Sequence, residues 1–262
     1  EGKHMKNLFD LTGKYSIVTG ASSGLGRHAA LSYASMGANV ALLARNINKL
    51  KEVEAEIKKY NVKTLLVECD VTKEESVKKA VETVMNNFGR VDILLNNAGV
   101  AVSGGVDTLS EDDWDRSFNT NVKGMYFMSK YVIPIMKKQN YGKVVNVASV
   151  NAIVGDKEDI FIRHSYNASK AAVLGLTKGM ACSYAKYNIT VNAVGPGLFE
   201  TGMTKDTLFK SEEFLNAYNK MNPSNRPGKE GEVSGPILFL SSDASSYVQG
   251  QFIVIDGGGS SV

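Results

Sequence analysis

The chain has 262 residues, of which 43% are hydrophobic, and its 30 Lys and Arg residues against 27 Asp and Glu give a net charge of +3. This hydrophobic content suffices for a large core and excludes wholesale disorder, and so small a net charge does not by itself favour nucleic acid binding. The longest apolar runs, of about five residues, exclude a membrane-spanning helix, which needs ~20, and two cysteines exclude a disulfide framework.

Strands and helices alternate along nearly the whole chain. Continuous Val, Ile and Leu runs predict strands at residues 15–19, 39–44, 63–69, 91–95, 143–148, 189–194 and 251–255. Helices are predicted at residues 25–35, 48–59, 73–88, 111–138 and 164–186, with helices and loops over 201–242. Strands that are apolar on both faces lie in a sheet covered by helices on both sides. The pattern predicts an α/β, doubly wound Rossmann fold with a seven-stranded parallel sheet.

No linker rich in Pro, Gly or Ser divides the chain, so residues 6–262 are predicted to form one domain. Residues 1–5 are interpreted as an expression remnant that ends with the initiator Met5, and no signal peptide is visible. The thiols of Cys69 and Cys182 are expected to be free and buried, as in a reducing compartment. A cytoplasmic location is therefore expected.

A glycine-rich loop follows the first predicted strand. Glycine permits a tight turn and a close approach of backbone to a pyrophosphate, while the next helix directs its N-terminal amides at the anion. An ordinary strand-to-helix turn also uses glycines, but the strand before and the helix after favour dinucleotide binding. The candidate cofactor residues in this loop are Gly20, Ser22, Ser23, Gly24, Leu25 and Gly26.

The second strand indicates which dinucleotide is bound. NAD sites place an acidic residue at its end to bind the ribose 2′-hydroxyl, yet no Asp or Glu occurs between Gly20 and Lys51. The strand ends at Ala44-Arg45 instead, and an arginine there can bind a 2′-phosphate through charge-assisted hydrogen bonds. An exposed arginine at a strand end is the alternative interpretation of Arg45 alone. The missing acid favours NADP(H) over NAD(H).

A Tyr-x-x-x-Lys pair lies in the second half of the chain. Tyr166 and Lys170 are four residues apart and share one face of a predicted helix. A nearby ammonium favours the phenolate and lowers a tyrosine pKa that is otherwise ~10. One β/α unit earlier, Ser149 follows a strand at the carboxyl edge of the sheet, where its hydroxyl can polarise a substrate carbonyl. Tyr166 with Lys170 is thus a candidate for proton transfer, and Ser149 is a candidate to polarise the carbonyl.

The ordered motifs resemble those of the short-chain dehydrogenase/reductase family across residues 6–262. The resemblance rests on the glycine loop, Asp70, the tetrapeptide Asn96-Asn97-Ala98-Gly99, Asn121, Ser149, Tyr166, Lys170, Pro196-Gly197 and Thr201. It implies alcohol and ketone oxidoreduction by hydride transfer. Within the family, the chain most resembles the gluconate 5-dehydrogenase-like and 3-oxoacyl-(acyl-carrier-protein) reductase-like branches. The opening residues 7–14 slightly favour the gluconate 5-dehydrogenase-like branch. Hydroxysteroid dehydrogenases share the same motifs and are a further alternative.

The resemblance also implies residue roles. Tyr166 is the implied general acid or base, Ser149 holds the reacting oxygen, Lys170 lowers the tyrosine pKa and binds the nicotinamide ribose, and Asn121 holds a water in a proton relay. Further implied cofactor contacts are Asp70 and Val71 at the adenine, Asn97, Ala98 and Gly99 in the cleft, and Pro196, Gly197, Phe199 and Thr201 near the carboxamide. For Asn97, a brace between strands is the alternative. No metal is implied.

The chain departs from the family pattern between Ser149 and Tyr166. These residues are 17 positions apart, several more than the family commonly shows. The additional segment leaves the sheet at the predicted active-site edge. Arg163 or His164 is therefore a candidate to contact a polar or acidic substrate group, and a solvated insertion is the alternative.

The sequence thus predicts an NADP(H)-dependent enzyme for a secondary alcohol or ketone, such as 5-keto-gluconate, that forms a homotetramer and binds neither nucleic acid nor membrane. Two other classes compete with this prediction. A noncatalytic dinucleotide sensor has no need of Asn121, Ser149, Tyr166 and Lys170 together. A nucleic acid binder would carry a basic stripe with interleaved aromatic residues, and no such stripe occurs.

Overall fold

The computed structural model describes residues 7–205 and 208–262, so the predicted remnant at residues 1–5 lies outside the described part of the chain. The strands are β1 (Tyr15–Thr19), β2 (Asn39–Ala44), β3 (Thr64–Glu68), β4 (Ile93–Asn96), β5 (Gly142–Val147), β6 (Ile189–Pro196) and β7 (Phe252–Ile255). They form one parallel sheet in the order β3-β2-β1-β4-β5-β6-β7. The predicted seven-stranded, doubly wound sheet is confirmed.

The helices in the described residues are α1 (Gly24–Ser35), α2 (Ile47–Ile57), α3 (Glu74–Phe88), α4 (Glu111–Phe118), α5 (Gly124–Gln139), α6 (His164–Tyr184), α7 (Gly202–Lys205), α8 (Glu212–Met221) and α9 (Ser234–Ser241). Every predicted helix before residue 201 is found, with ends displaced by one or two residues except where α4 and α5 replace a single prediction. Within residues 7–205 and 208–262, no helix is both long and apolar enough to cross a bilayer.

Helices cover both faces of the sheet. Alternate strand residues point to opposite faces, as the pleat requires: Val18, Leu42 and Leu95 pack with α1, α2 and α9, while Ile17 and Leu94 pack with α3, α5 and α6. All five strand side chains are fully buried. This double burial explains why the central strands are apolar throughout rather than alternating.

The order of the strands reverses between β1 and β4, which pair with each other through Val18 and Leu95. The connection that directly follows β1, with α1, covers one face of the sheet, and the connection that directly follows β4, with α5, covers the other. A crevice opens at the carboxyl ends of strands where two such connections diverge. The loops after β1, β4, β5 and β6 therefore meet at one edge of the sheet.

The predicted helix over residues 111–138 is two helices joined by a π-helical segment, Asn119–Lys123. The extra backbone residue in such a segment shifts the side chains relative to a continuous α-helix, and these segments are frequent at functional sites. Asn121 lies inside it and is fully buried. A second correction concerns the thiols: both are free, but only Cys69 is buried and Cys182 is exposed.

Candidate active site

The glycine loop has the geometry that its sequence predicts. Gly20 and Gly24 adopt positive φ angles of 62° and 54°, a conformation that favours glycine, and α1 begins at Gly24. A Cβ on Gly26 would overlap the carbonyl oxygen of Gly20 and the Nδ2 of Asn97. The first and third glycines of the motif thus allow the loop to pack tightly, and Gly24 makes the turn between them.

The N-terminus of α1 fits an anionic group. Ser23 is the N-cap but its side chain makes no capping hydrogen bond, and no acidic residue lies in the first turn. The amides there can donate to a phosphate, which the helix dipole also favours. A cleft at this point is lined by Ser22, Ser23, Gly24, Arg27, Glu200, Thr201, Lys205 and Glu230. It joins the glycine loop to the segment that follows β6, as binding of a dinucleotide requires.

Asn97 holds the glycine loop against the end of β4. Its backbone amide donates to Thr19 Oγ1 at 2.9 Å, and its Nδ2 donates to the carbonyl oxygens of Thr19 and Gly20, both at 3.2 Å. The Ala98 amide also donates to Thr19 Oγ1 at 3.0 Å. The structural brace considered for Asn97 is therefore present, and Thr19 is its partner.

Arg45 and Asp70 follow the neighbouring strands β2 and β3, at the end of the crevice away from Tyr166. Arg45 is exposed. The pKa of the Asp70 carboxyl lies below its ordinary value. Burial acts to raise this pKa, but hydrogen bonds from the Thr72 hydroxyl and amide, together with the charge of Arg45, outweigh burial. The next residue, Val71, is buried against Gly124. The two strand ends thus place a cation and a carboxylate close together at the carboxyl edge of the sheet.

Asn121 and Gly99 lie together beneath the loop after β4. The Asn121 Oδ1 accepts from the Val100 amide at 2.8 Å, and its Nδ2 donates to the Val100 carbonyl at 2.9 Å and to Ser169 Oγ at 3.0 Å. A Cβ on Gly99 would lie 3.2 Å from Asn121 Oδ1 and 3.4 Å from Lys170 Nζ. The Asn121 side chain therefore ties this loop to α6 next to Lys170.

Tyr166 and Lys170 occupy consecutive turns of α6. Lys170 is 3% exposed, its Nζ donates to the Val147 carbonyl at 2.9 Å, and burial lowers its pKa to about 8. Its Nζ lies 5.6 Å from the centroid of the Tyr166 ring. Burial raises the pKa of the Tyr166 phenol above its ordinary value, while the Ser149 hydroxyl and the Arg163 cation act in the opposite direction. The net direction is opposite to the one that the Tyr166–Lys170 spacing predicts.

Ser149 is nearly buried at the end of β5, and its Oγ accepts from the Asn151 amide at 3.1 Å. The sequence did not single out Asn151. Its Nδ2 donates to Asp156 at 2.8 Å, and its carbonyl accepts from Asn167 Nδ2 at 3.0 Å. The segment between Ser149 and Tyr166 is thus anchored to the Ser149 side chain and to Asn167, the residue after Tyr166.

The segment after β6 closes the other side of the cleft. Gly197 packs on Asp256, where a Cβ would lie 2.9 Å from the Asp256 Cβ, and its amide donates to Ile255 at 2.9 Å. Phe199 is buried, and the Thr201 amide donates to Thr204 Oγ1 at 2.7 Å. Pro196, Gly197, Phe199 and Thr201 therefore lie on one path from the sheet to the cleft.

Three charged residues that line the cleft were not predicted from the sequence: Arg27, Lys205 and Glu230. Arg27 had a visible indication, since it directly follows the last glycine of the loop in the first turn of α1. In residues 7–205 and 208–262, no group of three or more His, Cys, Asp or Glu side chains is arranged to hold a metal ion.

Comparisons with known proteins agree with this architecture. Residues 20–260 match a family model described as enoyl-(acyl carrier protein) reductase. The 3-oxoacyl-(acyl-carrier-protein) reductase FabG of Thermotoga maritima is 42% identical over 254 residues, covering 95% of this chain and 98% of that protein. Gluconate 5-dehydrogenase of Gluconobacter oxydans is 36% identical over 252 residues, covering 96% of each chain.

A solved structure of gluconate 5-dehydrogenase from Burkholderia cenocepacia, in complex with NADP and tartrate, superimposes with a TM-score of 0.91. It is 30% identical and the match covers 98% of both chains. Levodione reductase superimposes with a TM-score of 0.90 at 31% identity, covering 96% of this chain and 99% of that one. The chain therefore belongs to the short-chain dehydrogenase/reductase family of oxidoreductases, which act on CH–OH groups.

Proposed function

We propose that this protein is an NADP(H)-dependent oxidoreductase that interconverts a secondary alcohol and a ketone, with Tyr166 as the general acid and base. The observation that carries the proposal is the grouping of Ser149, Tyr166 and the buried Lys170 at the carboxyl edge of the sheet, where Lys170 lies beside Gly99 in the loop after β4. A chain that only senses a dinucleotide has no need of that group.

Each side chain has a role that follows from its position. In reduction, bound NADPH would supply the hydride that the carbonyl carbon accepts. Tyr166 donates its phenolic proton to the carbonyl oxygen, and Ser149 holds that oxygen by a hydrogen bond. Lys170, whose buried ammonium donates to the Val147 carbonyl, stabilises the phenolate that results and would hold the nicotinamide ribose.

The residues of the cleft fit the dinucleotide at separate points. The glycine loop with Ser22, Ser23 and Leu25 would hold the pyrophosphate, and Asp70 and Val71 the adenine. Asn97, Ala98 and Gly99 would line the middle, with Phe199 and Thr201 at the carboxamide. Arg45 supports a preference for NADP(H), because its exposed guanidinium can bind the 2′-phosphate. Solved relatives with bound NADP support the same choice.

The substrate is proposed to be a keto sugar acid such as 5-keto-gluconate. Relatives named gluconate 5-dehydrogenase and 2-dehydro-3-deoxy-D-gluconate 5-dehydrogenase support this class. The alternative is a 3-oxoacyl-(acyl-carrier-protein) substrate, since several relatives carry that name; an oxo-steroid is a further alternative. We also propose that residues 6–262 form one domain, that the protein is a cytoplasmic homotetramer, and that a water relay runs past Asn121.

Replacement of Tyr166 by Phe tests the proposed reaction. We expect the variant to lose nearly all NADPH-dependent reduction of a ketone panel while binding NADPH with unchanged affinity, because the ring stays and only the acidic proton is lost. Tyr184→Phe, at the far end of the same helix, is the matched control and should keep its activity. Retained turnover in Tyr166→Phe would overturn the proposed role. NADPH binding without turnover in the wild-type protein would favour a sensor.

A further inference from the structure

The insertion between Ser149 and Tyr166 carries a cation to the candidate active site. Arg163 lies three residues before Tyr166, and its Cζ is 5.5 Å from the centroid of the Tyr166 ring. The side chain is 30% exposed, so it is open to a ligand while partly shielded from solvent. Of the two residues that the sequence offered, His164 is already engaged, because its Nδ1 accepts from the Val106 amide at 3.1 Å.

The backbone around Arg163 is fixed on both sides. The Gly104 amide donates to the Ile162 carbonyl at 2.9 Å, and the His164 amide donates to the Gly104 carbonyl at 3.1 Å. Two residues before Arg163, the Phe161 ring packs against Phe214 of α8, with centroids 5.3 Å apart. Arg163 is therefore held where the loop after β4, the insertion and α8 come together, beside the Tyr166 ring.

The guanidinium is oriented through one nitrogen only. Its Nε donates to the Phe161 carbonyl at 3.3 Å and lies 3.9 Å from the Asp156 carboxylate. Asp156 in turn is held by Asn151 Nδ2 at 2.8 Å. Within the described part of the chain, Nη1 and Nη2 make no hydrogen bond. This leaves the forked edge that binds a carboxylate through two parallel hydrogen bonds.

We infer that Arg163 binds the carboxylate of the substrate, which makes the preferred substrate a hydroxy or keto acid rather than a neutral ketone or an acyl thioester. The inference rests on the proposed function, because it places the anion relative to a carbonyl that Tyr166 protonates. The Asp156 carboxylate orients the guanidinium and offsets part of its positive charge. Binding therefore depends on two directed hydrogen bonds more than on charge alone, which favours a carboxylate that accepts both. Lys157 and Glu158, in the same insertion, are 84% and 58% exposed and belong to its solvent side.

The inference is tested with a matched pair of substrates, 5-keto-gluconate and its neutral amide. Wild-type enzyme should prefer the acid by about 10- to 100-fold in kcat/KM, the range expected for a charge-assisted bidentate contact. Arg163→Gln should abolish that preference mainly through KM for the acid, and leave KM for the amide within about twofold. Arg163→Lys keeps the charge without the fork and should recover part of the preference. Lys157→Gln is the control and should behave as wild type.

The outcomes separate this inference from the proposed function. Equal kcat/KM of the wild-type enzyme for the amide and the acid would overturn the role of Arg163 while leaving ketone reduction by Tyr166 intact. So would Arg163 variants in which kcat/KM falls by the same factor for both substrates. Greater activity with acetoacetyl thioesters than with the acid would also overturn it. The acid–base role of Tyr166 is tested separately, by the loss of reduction of every ketone in Tyr166→Phe. Circular dichroism and NADPH binding show whether each variant is folded.

Discussion

The burial of Lys170 should cost stability that a substitution recovers. Its pKa falls from the ordinary value of 10.5 to about 8 because the ammonium is removed from water. At about 1.4 kcal/mol per pH unit, this difference is about 3 kcal/mol of lost stability at pH 7. Lys170→Met removes the ammonium and keeps an apolar chain of similar length. It also removes the hydrogen bond to the Val147 carbonyl, and this loss cancels about 1 kcal/mol of the gain in stability.

The pH dependence has a definite sign. Between about pH 8 and 10.5 the unfolded chain binds a proton at residue 170 that the native state has released, so raising the pH stabilises the wild-type protein. We expect Lys170→Met to be more stable than wild type by about 2 kcal/mol at pH 7, and the two to be about equal at pH 10. Other groups that titrate in this range are shared by both proteins and cancel from the difference.

Urea unfolding of the cofactor-free proteins, followed by circular dichroism at pH 7, 8, 9 and 10 and equal protein concentration, measures this difference. Lys178→Met, an exposed position on the same helix, is the control and should change the free energy of unfolding by less than about 0.5 kcal/mol. A difference between wild type and Lys170→Met that stays constant across this pH range would refute the reasoning. So would a variant that is less stable at every pH.

Three further predictions concern the loop, the core and the cofactor. Gly26→Ala should lower the free energy of unfolding by about 2 kcal/mol and weaken NADPH binding in a fluorescence titration, because the added Cβ overlaps Gly20. Gly175→Ala on α6 is the control and should be neutral or stabilising, since nothing lies within 4 Å of the added carbon. Equal melting temperatures of the two variants would contradict this prediction. Tyr33→Phe removes the 2.7 Å hydrogen bond to Ser241 between α1 and α9 and should lower the free energy of unfolding by about 1–2 kcal/mol in urea; an unchanged value would contradict this. Arg45→Gln should raise KM for NADPH about 10-fold and leave KM for NADH unchanged, and a parallel rise in both would show that Arg45 does not contact the 2′-phosphate.

The fold was predictable because the strands of a doubly wound sheet are buried on both faces. β1 and β2 have the predicted bounds, and β6 differs only by continuing to Pro196. The break between α4 and α5 was not predictable, because residues 119–123 contain no proline or glycine. The π-helical turn there depends on the buried contacts of Asn121 with Val100 and Ser169, which lie far away in the chain.

The candidate site was predictable where the residue type itself carries the chemistry, as for Ser149, Tyr166 and Lys170. It was not predictable where a role depends on the path of a loop. Asn151 and Asp156 have no distinctive sequence context, and only the fold of the insertion joins them to Ser149 and Arg163. The direction of the Tyr166 pKa was also missed, because burial outweighs the Ser149 hydrogen bond and the Arg163 charge, and burial is not visible in a spacing of four residues.

The hydrogen bonds between Thr19 and Asn97 join positions 78 residues apart in the chain. Loops of this length close slowly, and contacts between distant residues form late when a protein folds. The glycine loop cannot take its final shape until β4 is seated beside β1, so an intermediate that contains only the first three strands has no dinucleotide site. Recovery of NADPH binding during refolding should therefore follow completion of the sheet, and early helix formation should precede it.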